Sequence, residues 1–405
     1  MDILPIISTL RRHRTAAALI VIEIALTCAI VCNSLFLIRE RMARMDASSG
    51  IVESELLRVS AGGIGERADA RAITDQDLVA LRSIPGVKLA ATTNMLPFGG
   101  SSWNSSISTV PEDPNRPVNA AMYMGSPDLL ETFGVRLVMG RDFTPEEYVD
   151  LEDVQAQRVH VPSIIITKGV ADKLFPGTSP LGKGLYVWGK EPITVVGVID
   201  HIARPNEANG PDIGQYAMIM PVKVPFTLSD YILRVDPARQ SEVLAAVDGA
   251  LDKVDPNRVL NNRQRYSEVR SEYFAKDRSM AYLLAGVSLA LLIITALGIV
   301  GLASFWVQQR TRQIGIRRAL GATRGDILRY FQTENFILAT LGIVLGMGLT
   351  YGINLWLMST YKVARLPSSF LPIGATLLYL LGQIAVLGPA LRAAAIPPAI
   401  ATRTV

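Results

Sequence analysis

Three stretches free of charged side chains, residues 280–306, 336–358 and 373–391, limit what this chain can fold into. A helix needs roughly 20 apolar residues to cross about 30 Å of hydrocarbon, and each stretch is of that length. A fourth, residues 16–38, is interrupted only by Glu23. It follows a basic head, Arg11, Arg12, His13 and Arg14, but is too long for a signal peptide and lacks a small-residue cleavage site, so a retained anchor is expected. With 49% hydrophobic and 19% charged residues and a mean hydropathy of +0.29, the composition is that of a membrane protein.

Charge sets the expected topology. Residues 307–331, after the second span, hold Arg310, Arg312, Arg317, Arg318, Arg324 and Arg329 against the lone acid Asp326, which the positive-inside bias places in the cytoplasm. Both termini then lie inside, and residues 39–279 lie outside. Lys362 and Arg365, in the short outer loop, pull weakly the other way. Positions 40–278 hold 26 basic and 32 acidic residues, and the rest hold 14 and 4. The net charge of +4 is therefore mainly topological and implies no nucleic-acid partner. Trp306, Trp356 and Tyr361 stand near span ends, as interfacial anchors do.

The expected division is a cytoplasmic N-terminus (1–15), span 1 (16–38), an outer domain (39–279), span 2 (280–306) and a cytoplasmic elbow (307–335). Span 3 (336–358), a short outer loop (359–372), span 4 (373–391) and a cytoplasmic tail (392–405) complete it. Within the outer domain, β-rich runs such as ELLRVS, SIIIT, ITVVGVID and DYILRVD alternate with amphipathic stretches such as TDQDLVALRSI and ARQSEVLAAVDGALDKV. That pattern predicts an α/β or α+β domain of one or two subdomains.

Little in the sequence carries chemistry. FPGTSPLGKG, residues 175–184, has the skeleton of a phosphate-binding loop, but Gly184 stands where a magnesium-binding hydroxyl belongs. A helix-like GVADKLF precedes it and a strand-like LYVWG follows, the reverse of the order such a loop needs. Cys28 and Cys32 lie in one apolar run and read as packing residues. His13, His160 and His201 are isolated, and the acidic run PEEYVDLED reads as a solvated loop rather than a cation site. No catalytic, cofactor or metal site is expected.

The elbow is more informative. Span 2 is expected to continue as a basic helix to Leu320, with Gly321 at the C′ position and Thr323 and Asp326 forming a capping box for the next helix. RTRQIGIRRALGATRGDILRYF, residues 310–331, resembles the segment after the second span in permeases of the MacB/FtsX type. LLETFGVRLVMGRDFTPEE, LFPGTSPLGKGL and ITVVGVIDHI are similar to the MacB-type extracytoplasmic domain, and LGPALRAAAIPPAIATR resembles the family's ending.

The resemblance implies an α-helical membrane protein with four transmembrane helices and a large α+β extracytoplasmic domain between helices 1 and 2. It implies the permease subunit of an ABC transporter in the bacterial inner membrane, not itself an enzyme. ATP and magnesium are expected in a separate ATPase subunit, since Met1 stands shortly before span 1 and no phosphate loop is found. The ATPase-coupling elbow would comprise Arg310, Arg312, Gln313, Gly315, Arg317, Arg318, Leu320 and Gly321. Gln313 departs from the family's usual acid.

Further expected partners are a second permease copy or a related permease, a periplasmic adaptor, an outer-membrane channel and membrane lipid. Efflux by mechanotransmission is the leading expectation. An FtsX-like signal transmitter controlling cell-wall hydrolysis and Lol-type lipoprotein extraction are the alternatives. RERMARMDA after span 1 and RYSEVRSEYFAKDRSM before span 2 are expected to form helical stalks. Glu23 is costly inside a span unless paired, protonated or wet. Gly342, Gly346, Gly348 and Gly352 offer small-residue spacings for helix contact, within the bundle or between copies.

Overall fold

The computed structural model describes residues 14–63, 69–113, 117–206, 216–361 and 365–397. Arg11, Arg12, His13, Lys362 and Arg403 lie outside them. The chain divides into two compact units, one formed by residues 1–46 with 276–405 and the other by residues 47–275.

The first unit holds four helices long and apolar enough to cross a membrane. Span 1 is Arg14–Met45, span 2 Ala275–Gln309, span 3 Arg324–Tyr361 and span 4 Phe370–Ala394. Each outruns its apolar stretch, span 3 most at its start. Span 1 packs on span 3 through glycine. A Cβ at Gly342 would stand 2.7 Å from Ile24 Cβ, and one at Gly346 would stand 2.5 Å from Cys28 Cβ and 2.8 Å from the Ala25 carbonyl. Only hydrogen permits that approach. Cys28 and Cys32 are fully buried in the bundle.

Side chains also bridge the spans. The Asn33 amide donates to the Thr350 carbonyl (3.2 Å), Thr27 and Thr295 share a hydroxyl hydrogen bond (2.8 Å), and Tyr379 donates to Thr340 (2.8 Å). Span 2 buries only a narrow seam that includes Ala281, Ser288, Thr295, Ile299, Ala303 and Trp306. Beyond the apolar stretches, Asp277 of span 2 pairs with Arg41 (2.5 Å) and Arg44 (3.6 Å) of span 1.

The second unit is α+β. In chain order its elements are β1 (Leu56–Gly63), α1 (Ala70–Arg82), β2 (Val87–Thr93), β3 (Asn104–Ile107), β4 (Val118–Met124), α2 (Leu129–Phe133) and β5 (Leu137–Gly140). There follow β6 (Val149–Asp150), α3 (Leu151–Gln155), β7 (Ser163–Thr167), α4 (Lys168–Leu174), β8 (Gly184–Leu185), β9 (Ile193–Ile199) and β10 (Ala217–Met220). The last are β11 (Val222–Lys223), β12 (Asp230–Val235), α5 (Gln240–Asp252), β13 (Arg258–Arg265) and α6 (Tyr266–Tyr273).

An antiparallel sheet runs β13-β1-β12-β2, and a mixed sheet runs β3-β4-β10-β7-β9-β5 with β8 on β9. The layering follows from side-chain alternation. Leu57 and Val59 of β1 and Tyr231 and Leu233 of β12 face the α1 and α5 residues Leu78, Leu81, Val243 and Val247. Leu56 and Ile232, from the opposite face, join Ile165 and Ile219 of the mixed sheet in a second core. Ile164 and Ile166 fill a third. The unbroken Ile164, Ile165 and Ile166 of SIIIT reflect a β7 covered on both faces.

Two expectations need correction. Span 2 does not continue to Leu320: it ends at Gln309, and a separate elbow helix spans Thr311–Ala319. At the break the Thr311 hydroxyl bonds back to the Val307 and Gln308 carbonyls, an alternative to the helical ladder, while Arg310 turns inward. The stretch before span 2 is two helices rather than one stalk, divided at Phe274, whose buried ring packs against Phe98 at 5.0 Å. The strands β3, β4 and β13 were not legible. RVLNNRQR of β13 has no apolar alternation because it is an edge strand.

The acidic run is tied down by arginines. Glu147 takes a two-pronged hydrogen bond from Arg141 (2.8 and 2.9 Å) and accepts from the Thr144 N–H (2.7 Å). Asp150 and Asp153 meet Arg71, and Asp153 also meets Arg158. Chiefly through Arg141, the Glu147 carboxyl is held at about 2, below its ordinary 4.5. The folded value is depressed, so the stabilisation is complete above 4.5 and is lost as pH falls toward 2. Glu147→Gln is expected to remove about 1 kcal/mol at neutral pH, because Arg141 is half exposed and screened. Its acid-unfolding curve, followed by hydrogen exchange in β5 and β9, should be flatter than wild type between those two pH values.

Candidate functional site

The elbow helix and the start of span 3 form a helical hairpin. Its turn is built from two local motifs. Gly321 takes φ +99°, a left-handed value that suits glycine, and the Gly321 and Ala322 N–H groups bond to the Arg318 and Arg317 carbonyls. Thr323 and Asp326 then exchange side-chain to backbone hydrogen bonds of 2.9 and 3.1 Å, capping span 3. Ile314 is buried in one cluster with Ile327 and Phe331, and Gly315 is buried beside it. Arg317 lies 5.0 Å over the Tyr330 ring, and Arg318 donates to the Ala322 carbonyl at 3.1 Å.

The opposite face is open. Arg312 and Gln313 are exposed, as are Ile316 (44%) and Leu320 (83%). These two apolar side chains thus stand uncovered among arginines.

Arg310 stands apart from its elbow neighbours. It is buried, its Nη1 lies 3.1 and 3.0 Å from the two Glu334 oxygens, and its guanidinium lies 5.3 Å over the Trp306 ring. Sequence reading missed Glu334 and Asn335 because both precede the apolar stretch taken as span 3. The available signal was an acid two residues ahead of that stretch, on the same hairpin as an arginine cluster.

The other intramembrane residues separate cleanly. Glu23 is half buried and rests against Gly298 of span 2, where a Cβ would stand 2.6 Å from its carboxylate. No hydrogen bond or ion pair to it is found among the described residues. Gly342 and Gly346 face span 1, whereas a Cβ at Gly348 or Gly352 would meet open space. The FPGTSPLGKG loop joins α4 to β8, and its Lys183 donates to Thr178 (2.8 Å) and lies 4.9 Å over the Phe175 ring. The lysine thus serves its own turn. Among the described residues, no group of three or more side chains is placed to hold a metal ion.

Four membrane-capable helices flanking an α+β domain define a multi-pass membrane protein with a large extracytoplasmic domain. Residues 15–254 match the MacB-like periplasmic core domain, and residues 285–398 match the FtsX-like permease C-terminal domain. With more than half its length in the first match, the chain belongs to the MacB-like family of FtsX-type permeases.

Relatives include the macrolide export ATP-binding/permease protein MacB of Neisseria gonorrhoeae, 26% identical over 72% of this chain and 43% of that protein. This chain therefore spans under half the length of the MacB relative. The uncharacterized ABC transporter permease YvrN of Bacillus subtilis is 25% identical over 83% of this chain and 80% of its own length. The extracellular domain of the noncanonic ABC-type transporter YknZ, at 18% identity, aligns over 51% of this chain with a TM-score of 0.33.

Proposed function

We propose that this chain is the permease subunit of an ABC transporter and that its elbow docks on a separate ATPase, where ATP and magnesium are bound. The observation that carries the reading is the exposed pair of Ile316, on the elbow helix, and Leu320, at its C-cap, set among arginines between two spans. Apolar knobs fit a groove on a partner, and the arginines steer its approach. The same arginines support an orientation with both termini on the cytoplasmic side.

Two permease copies, or one copy and a related permease, bring two ATPases together. Closure of the ATPases on ATP displaces the elbows and moves the extracytoplasmic domains, driving efflux through an adaptor and an outer-membrane channel without passage of substrate through the permease. The Arg41–Asp277–Arg44 cluster supports this, because it fastens together the two helices that bracket the outer domain in sequence.

Leu320→Glu and Arg312→Glu replace exposed side chains and spare the hairpin. Each is expected to cost about 2 kcal/mol, roughly thirtyfold in affinity, for the ATPase that co-purifies with the wild-type chain. Undiminished recovery of that ATPase with both variants would sink the docking reading. A deletion strain with unchanged sensitivity to antibiotics and peptides but altered septation would place the chain with the signal-transmitting alternative.

A further inference from the structure

The hairpin of elbow helix and span 3 is closed at both ends. At one end is the Gly321–Thr323 turn; at the other is the Arg310–Glu334 ion pair, its side chains 10% and 2% exposed. Between them, Ile314 packs with Ile327 and Phe331, and Arg317 covers Tyr330. Burying two charges costs more than most contacts return, so such a pair is better understood as setting a geometry than as adding stability.

The surroundings strengthen the pair. Arg310 is the only hydrogen-bond partner of Glu334 among the described residues. The adjoining cavity, lined by Trp306, Glu334, Asn335 and apolar neighbours, measures about 10 Å³, room for one water at most. Trp306 Nε1, Asn335 Nδ2 and Arg310 Nη2 are buried without a hydrogen-bond partner; all three are donors, so none repels the carboxylate. In so dry a place the attraction is little screened.

We propose that Arg310 and Glu334 are positioning residues forming a joint that locks the elbow to span 3. Elbow and inner half of span 3 then move as one rigid lever, and a push on the exposed Ile316–Leu320 face is delivered to span 3 by side chains as well as by the turn. The push rests on the docking reading; the lock does not.

The test uses the full chain in lipid nanodiscs with spin labels at Gln313→Cys on the elbow and Ser359→Cys near the far end of span 3. Electron–electron resonance should give one narrow distance for wild type, unchanged in 1 M salt because the pair is dry. Glu334→Gln, which keeps the side chain's shape, and Arg310→Met should broaden or split it. The reversed pair, Arg310→Glu with Glu334→Arg, should restore a narrow distribution. Single variants as narrow as wild type, or a wild-type distance that broadens with salt, would overturn the joint. A chain that keeps the narrow distance yet binds no ATPase removes only the docking reading. One that binds ATPase and ignores Glu334→Gln removes only the joint.

Discussion

Truncating Arg258 to alanine is expected to cost the extracytoplasmic domain about 3–5 kcal/mol, the largest effect of any single substitution considered for it. Asp77 and Arg258 are both fully buried, with Nη1 to Oδ2 at 2.5 Å. Tyr231 donates to the same carboxylate oxygen at 2.5 Å, Arg258 Nε donates to the Asp255 carbonyl at 2.9 Å, and the guanidinium lies 5.5 Å over Phe226. Without Arg258, Asp77 is a charge in the core beneath the four-stranded sheet with one hydroxyl to answer it. Burial beside that carboxylate also pushes the Tyr231 hydroxyl far above its ordinary pKa of 10.0, so the tyrosine remains a donor at any ordinary pH.

The expected order of damage distinguishes this account from simple loss of packing. Tyr231→Phe removes one hydrogen bond to a charged group and should cost about 1.5–3 kcal/mol. Asp77→Leu with Arg258→Met and Tyr231→Phe removes all three polar groups together and should cost less than Arg258→Ala alone. Hydrogen exchange on the full chain would read this as lost protection in β1, β12 and α1 with the membrane helices unchanged. A triple variant worse than the single would show that shape, not charge, matters at this site.

The second large effect belongs to span 3. Gly346→Ala places a methyl 2.5 Å from Cys28 Cβ and 2.8 Å from a backbone carbonyl, and Gly342→Ala places one 2.7 Å from Ile24 Cβ. Backbone cannot step aside without moving the whole span, so each should cost about 1–3 kcal/mol, with valine worse than alanine. Gly348→Ala and Gly352→Ala meet open space and should be neutral or stabilising by up to about 1 kcal/mol, the helix preference of alanine over glycine. The buried thiols of Cys28 and Cys32 supply the measurement: a thiol reagent should label them faster on warming in the first pair of variants only. Equal labelling rates across all four would refute the assignment. A changed oligomeric state in Gly348→Leu would instead mark that face as a contact between copies.

Part of this was legible from residues alone and part was not, for a physical reason. The length of an uncharged apolar run determines a span because water and hydrocarbon act on each residue locally. Strands such as SIIIT and ITVVGVID and the Thr323–Asp326 cap are short-range patterns too, so they could be read directly. Non-local pairings could not. Nothing near Asp77 in sequence announces Arg258, and nothing near Arg310 announces Glu334. The two glycine pairs, 342/346 and 348/352, share one spacing and look alike until span 1 approaches only one side of the helix. The sequence by itself determined the four spans, the inserted α+β domain and the basic elbow. The tertiary structure alone decided which charges are buried in pairs, which glycines touch a neighbour and where span 2 breaks, because those outcomes depend on which surfaces meet.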